Sequence, residues 1–361
     1  MKRRFFAALL AAAVLFSFSS CKRERAVMRY ETYTVSAAYY TYWLSRFKAN
    51  FLTYYSDVED SDAYYDSVIG ENGETAEEVM TSLSDGRIME YLIAEYLFDR
   101  SGLTVPEATA ESLDALLDSV VAGAAAGDRK AFDELAAPFG IGYDDLREIY
   151  RIEAKSERFR SYYKTNLLSV TDADRDAYFE ENYARAVHIY ISTEYRLNID
   201  ENGTLIYDEN GDYTVPYTAA EKTAQRQKAA ELEGKLTAEN FDALREEYNE
   251  DPAVSAYENG YYFSGNTEGF DSDVIAAALS MEEGEVRRVE ASYGVFFLKK
   301  LPKAEKAYED PANADFFDNF EDALKNDLYE RFLDGEKAKI TVDASLKKEI
   351  TVRSVTPCYD F

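Results

Sequence analysis

At 361 residues the chain exceeds one ordinary core and reads as two domains with appendages, and 46% hydrophobic residues with only 7 prolines make it a folding rather than a disordered sequence. Its 69 acidic against 40 basic residues give a net charge of −29, a surface that repels phosphate backbones and excludes nucleic acid as a partner. A single histidine excludes a two-histidine zinc site or an HExxH protease, and 2 cysteines supply neither a metal cluster nor a disulfide framework.

Residues 1–20 read as an export signal: Lys2, Arg3 and Arg4 precede an apolar stretch over 5–18. That stretch is shorter than the roughly 20 residues a membrane-crossing helix needs. Ser19 and Ser20 then lead into Cys21. This resembles the lipobox of bacterial lipoproteins, with Phe18 where that motif usually has Leu. The resemblance implies an exported chain with Cys21 lipidated and anchored at the extracytoplasmic face of the cell membrane, the lipid being its only contact with the bilayer. Simple secretion and a disulfide between Cys21 and Cys358 remain as alternatives.

Residues 21–183 read as a helical domain. After a short strand-like run, Ser36 caps a helix carrying Tyr39, Tyr40, Trp43, Phe47 and Phe51 at near-helical spacing. An amphipathic helix ends at Ser101-Gly102, a second stops near Gly123, and two more are broken at Gly140 and Gly142. A last helix is capped by Thr171 with Asp174 three residues on.

The pattern changes at Ala184. "RAVHIYIS" alternates, placing Val187, Ile189 and Ile191 on one face of a strand and His188, Tyr190 and Ser192 on the other. "DENG" occurs at 200–203 and again at 208–211, which predicts inserted hairpins over about 195–217. Asp208, Asn210 and Asp212 have the spacing of calcium-loop ligands, but Tyr213 stands where an EF-hand needs glycine, so no metal is expected. A helix opened by Thr218 and Glu221, a second over about 238–248, "GYYFS", a short helix through "DSDVIAAAL" and the runs "VRRVEAS" and "GVFFLKKL" follow. They predict a small antiparallel sheet wrapped by helices, making the chain an α+β protein. Over 303–361 a helix with Phe316, Phe320, Leu324, Leu328 and Phe332 on one stripe leads to a short tail, and is expected to pack on the N-terminal helices.

Six segments over 184–302 together resemble the parvulin-type peptidyl-prolyl isomerases: "AVHIYI", "YNEDP", "NGYYFS", "GFDSDVIAAAL", "EEGEVRRV" and "YGVFFLKKL", in that order. The helical flanks are similar to the N-terminal chaperone part of the exported PrsA-like and SurA-like foldases. The resemblance implies a foldase that binds unfolded or nascent secreted chains and catalyses cis–trans isomerisation of X-Pro bonds without cofactor or metal. It implies that His188 and Asp251 form the polar centre, that Phe263 and Phe270 line the proline pocket, and that Tyr262 joins its wall. Phe296 stands among the pocket residues where the family carries a second histidine, and the loop over 264–269 is shorter than the family's and lacks its methionine. These departures define the alternative, a non-catalytic holdase with a degenerate parvulin domain. Glu194, Asp200 and Glu201 occupy the region where phosphopeptide recognition would need arginines, so unphosphorylated X-Pro segments are the expected substrate. A solute-binding lipoprotein would need strands alternating with helices over most of the chain, and the helical first half lacks them.

Overall fold

A computed structural model describes residues 25–55, 58–70, 72–200, 204–254 and 256–361; the export signal, Cys21 and most of the first "DENG" turn lie outside the described residues. The chain divides into two units, residues up to Leu168 with Asn326–Phe361, and Ser169–Lys325. The helix Asp172–Asn182, read from sequence as the end of the first domain, groups with the second unit. No helix among the described residues is long and apolar enough to cross a membrane.

The first unit is built on helices Ala37–Tyr54, Ala76–Arg100, Glu107–Ala125 and Tyr143–Tyr162. Ser36 caps the first of these, its hydroxyl accepting the Tyr39 N–H at 3.2 Å. Tyr40 and Trp43 are buried in a core with Ile88, Leu92, Leu146 and Ile149, and the returning tail adds Tyr329, Leu333, Val352 and Val355. The apolar stripe read over 316–332 is therefore shared: Phe320 and Leu324 are buried in the second unit, whereas Phe332 packs into the first. Cys358 is buried in this core with no disulfide partner among the described residues, and burial pushes its pKa up.

The second unit carries a four-stranded antiparallel sheet in the order Tyr261–Phe263, Ala184–Ser192, Gly294–Leu301, Val286–Ala291. Strand alternation decides what each face meets. Val187, Ile189 and Ile191 bury against Leu232 and Phe241 from the helices Ala219–Glu233 and Phe241–Tyr248. The opposite face, with Ala186, Phe296 and Leu298, packs on Val274 and Ala278 of the helix Ser272–Ser280. His188 projects from that second face.

Gly260 sets the edge strand in place. Its φ is +93°, and a Cβ there would lie 2.7 Å from the Ala186 carbonyl oxygen, so both conformation and space require glycine. Gly260→Ala is expected to lower the unfolding free energy by about 2 kcal/mol, read as a reduced denaturant midpoint.

A ribbon projects here, pairing Tyr195–Leu197 with Thr214–Pro216, and within it an antiparallel bridge between Ile199 and Leu205 flanks the first "DENG". The second "DENG" is a turn held by Asp208, whose Oδ1 accepts the N–H groups of Asn210 and Asp212, both at 2.8 Å. Local backbone N–H groups thus hold the Asp208 Oδ1 in an Asx-type turn.

Candidate functional site

The strand through His188 is only partly covered along one edge. Tyr261–Phe263 pairs with Ala184–Ala186 and stops there, so the polar groups of Tyr190 and Ser192 on that edge need other partners. The loop after the helix Phe241–Tyr248 supplies them. Asn249 Oδ1 accepts the Tyr190 N–H at 2.8 Å, the Glu250 N–H donates to the Tyr190 carbonyl at 2.9 Å, and Glu250 Oε2 accepts the Ser192 N–H at 2.8 Å. Lys228 anchors Glu250 at 2.7 Å. This strapping delivers Asp251 to His188.

Asp251 Oδ2 lies 2.8 Å from His188 Nε2 and accepts the Tyr261 hydroxyl at 2.7 Å, while Oδ1 accepts the Ala253 N–H at 2.9 Å. Burial alone would raise the Asp251 pKa; hydrogen bonds from His188, Tyr261 and Ala253 outweigh it and hold the carboxyl below its ordinary value. Burial and the bond to Asp251 push the Tyr261 phenol well up, so it stays protonated as a donor. A carboxylate only accepts, which assigns a proton to Nε2. His188 Nδ1 is buried and without a hydrogen-bond partner among the described residues.

The depressed Asp251 pKa sets a pH dependence. A carboxyl whose folded pKa lies below its unfolded value stabilises the fold fully above the unfolded value, roughly 4, and loses that contribution as pH falls through the folded one. Urea midpoints of the wild type and Asp251→Asn are therefore expected to differ at about pH 7 and to converge toward about pH 2.

Around this centre stand aromatic rings. The His188 ring lies 4.9 Å from Tyr261, 5.4 Å from Phe296 and 5.8 Å from Phe270, centroid to centroid. They border a cavity of about 840 Å³, closed on another side by Tyr195, Leu197, Ile199 and Tyr213 of the projecting ribbon. Arg196, also on the wall, is held by Glu221 at 3.0 Å.

Of the residues singled out from sequence, His188, Asp251, Phe270 and Phe296 come together on this cavity. Phe263 does not line it; fully buried, it backs Phe270 at 5.0 Å. Tyr262 is a correction. A strand turns successive side chains to opposite faces, and it is Tyr261 that meets His188. Tyr262 packs instead against Phe317 at 5.2 Å, beneath the Arg185 guanidinium. Tyr261, Tyr190, Tyr293 and the ribbon residues were missed. Tyr190 had a usable signal, two positions along the strand from His188; Tyr293 and the ribbon are brought in by tertiary folding.

No family model matches the chain, and no curated protein matches it. Among solved structures the chain is similar to PrsA from Bacillus subtilis at 21% identity, covering 79% of this chain and 90% of that one with a TM-score of 0.21. It is also similar to the foldase protein PrsA from Lactococcus lactis, at 12% identity over 91% and 99% of the two chains with a TM-score of 0.24. A structure described among SurA-like chaperones of Campylobacter jejuni matches at 14% identity over 74% and 92%, with a TM-score of 0.20. At such scores the likeness carries no argument about the site, whose chemistry stands on its own geometry.

Proposed function

We propose that the second unit holds X-Pro segments of unfolded polypeptides in the cavity over His188 and accelerates their cis–trans isomerisation. The observation that carries this reading is the hydrogen-bonded group His188–Asp251–Tyr261 set among the rings of Phe270 and Phe296 at one cavity. An X-Pro amide must twist against about 18–20 kcal/mol of resonance. The planar amide is the more dipolar form, with excess negative charge on its oxygen. An apolar cavity solvates it less well than the twisted form, and the Asp251 carboxylate beside the carbonyl would penalise it further. Both effects favour the transition state over the ground state. The rings grip the pyrrolidine while the carbonyl rotates, and no bond is broken. The reading takes residues 1–20 as an export signal and Cys21 as the lipidated residue, so the clients are chains that fold after export.

A second reading, a holdase that binds without catalysis, is favoured by one observation. Phe296 cannot hydrogen-bond His188, and Nδ1 has no partner among the described residues. Exchange spectroscopy on an Ala-Pro peptide with residues 22–361 separates the two. Catalysis is expected to raise the exchange rate about a hundredfold or more over buffer. Bound peptide exchanging at the buffer rate would establish the holdase and end the enzyme reading.

A further inference from the structure

A second cavity of about 380 Å³ shares Tyr261 and Phe270 with the first. Its other rings include Tyr257, Tyr262 and Phe316, the last lying 5.0 Å from Tyr257 and 5.8 Å from Tyr261. Glu268, Asp315 and Asp318 also line it, and among the described residues no Lys or Arg does. Tyr257 donates to Asp315 Oδ2 at 3.0 Å, which fixes that carboxylate beside the rings. Aromatic faces attract cations, and a guanidinium is planar, weakly hydrated and able to stack while it pairs with carboxylates.

The first unit contains a filled arrangement of the same kind. Arg353 pairs through Nε with Glu77 at 2.6 Å, through Nη1 with Asp62 at 3.1 Å and through Nη2 with Asp66, and it lies over the Tyr65 ring at 5.5 Å. The second cavity offers three carboxylates and the rings of Tyr257 and Phe316; the nearby Arg185 lies over Tyr262 at 5.8 Å and donates to the Asn259 and Pro302 carbonyls rather than to these carboxylates. The net charge of −29 also draws cationic segments toward the protein.

We infer that this cavity is a subsite for an arginine side chain of the bound client, lying within about two residues of the proline at about 3.3 Å of extended chain per residue. The inference rests on the prolyl-site reading. It is tested with residues 22–361 and a pentapeptide Ala-Ala-Pro-Ala-Ala, alongside versions in which each alanine in turn is arginine or the isosteric, uncharged citrulline. Affinity is read by titration, and isomerisation of the parent peptide by exchange spectroscopy. For one position, the arginine peptide is expected to bind about tenfold more tightly than its citrulline twin. That gain is expected to shrink in about 0.5 M salt and to vanish in the triple variant Glu268→Gln, Asp315→Asn, Asp318→Asn, which still binds the parent peptide as the wild type does. Equal affinities at every position, or a gain that survives the triple variant, overturn the subsite while the parent peptide's behaviour leaves the prolyl site standing. A parent peptide neither bound nor isomerised removes both.

Discussion

Asp251→Ala is expected to lower kcat/KM for an Ala-Pro peptide about a hundredfold and the unfolding free energy by about 3 kcal/mol. Asp251 Oδ2 is the common acceptor for His188 Nε2 and the Tyr261 hydroxyl. Alanine leaves two buried donors without a partner, and an unpaired buried polar group costs more than the bond it made. It also removes the negative charge that, in the proposed mechanism, penalises the planar amide. Asp251→Asn separates these contributions, because an amide oxygen still accepts while the charge is gone. Its stability at about pH 7 is expected to lie between those of the wild type and Asp251→Ala, with kcat reduced more than KM is raised. Chemical denaturation and single-turnover exchange on the same preparations read both. A normal kcat in Asp251→Asn would remove the charge from the account.

Phe270→Ala and Phe263→Ala form the second expectation, a pair with opposite profiles. Phe270 touches four other rings, at 5.0 Å to Phe263, 5.4 Å to Tyr261, 5.8 Å to His188 and 6.1 Å to Phe296, and one of its faces looks into the cavity. Its loss is expected to weaken binding of a proline peptide about tenfold or more, through lost apolar contact with the pyrrolidine ring, while destabilising the fold by only about 1–2 kcal/mol because the ring is only partly buried. Phe263 is fully buried behind it. Its truncation is expected to cost about 3–5 kcal/mol of stability, with the smaller effect on peptide affinity in protein that remains folded. Titration with the peptide and urea unfolding check both. If Phe263→Ala weakened binding more than Phe270→Ala, the pocket wall would have been placed on the wrong ring.

The strand through His188 was legible because a period of two needs no tertiary information. The apolar parity of Val187, Ile189 and Ile191 put His188 on the other face, and the structure shows both faces packed as that parity requires. Asp251 was legible only through the resemblance. Nothing in the local pattern says that a loop 63 residues away straps the uncovered edge of that strand. The same parity rule, applied to Tyr261 and Tyr262, would have needed the register with Ala184–Ala186 to decide which ring faces the histidine. Without it, parity alone does not separate Tyr261 from Tyr262. The helix Asp172–Asn182 was legible down to its Thr171–Asp174 capping box, whereas its grouping with the second unit was not. Capping is local, whereas unit membership depends on what Phe179 meets, namely Tyr308 and Phe317 far along the chain. The ribbon was legible as hairpins, because Asn-Gly between alternating runs is a local signal. Its role as a cavity wall comes from Leu197, Ile199 and Tyr213, which are scattered through it.

The proline ring itself decides whether the cavity works as described. Intermolecular nuclear Overhauser effects between an isotope-labelled Ala-Pro peptide and residues 22–361 should run from the pyrrolidine protons to the rings of Phe270 and Phe296 and to the His188 imidazole. Contacts from those protons confined to other surfaces, with the His188 and Phe270 signals unmoved at saturating peptide, would contradict the account.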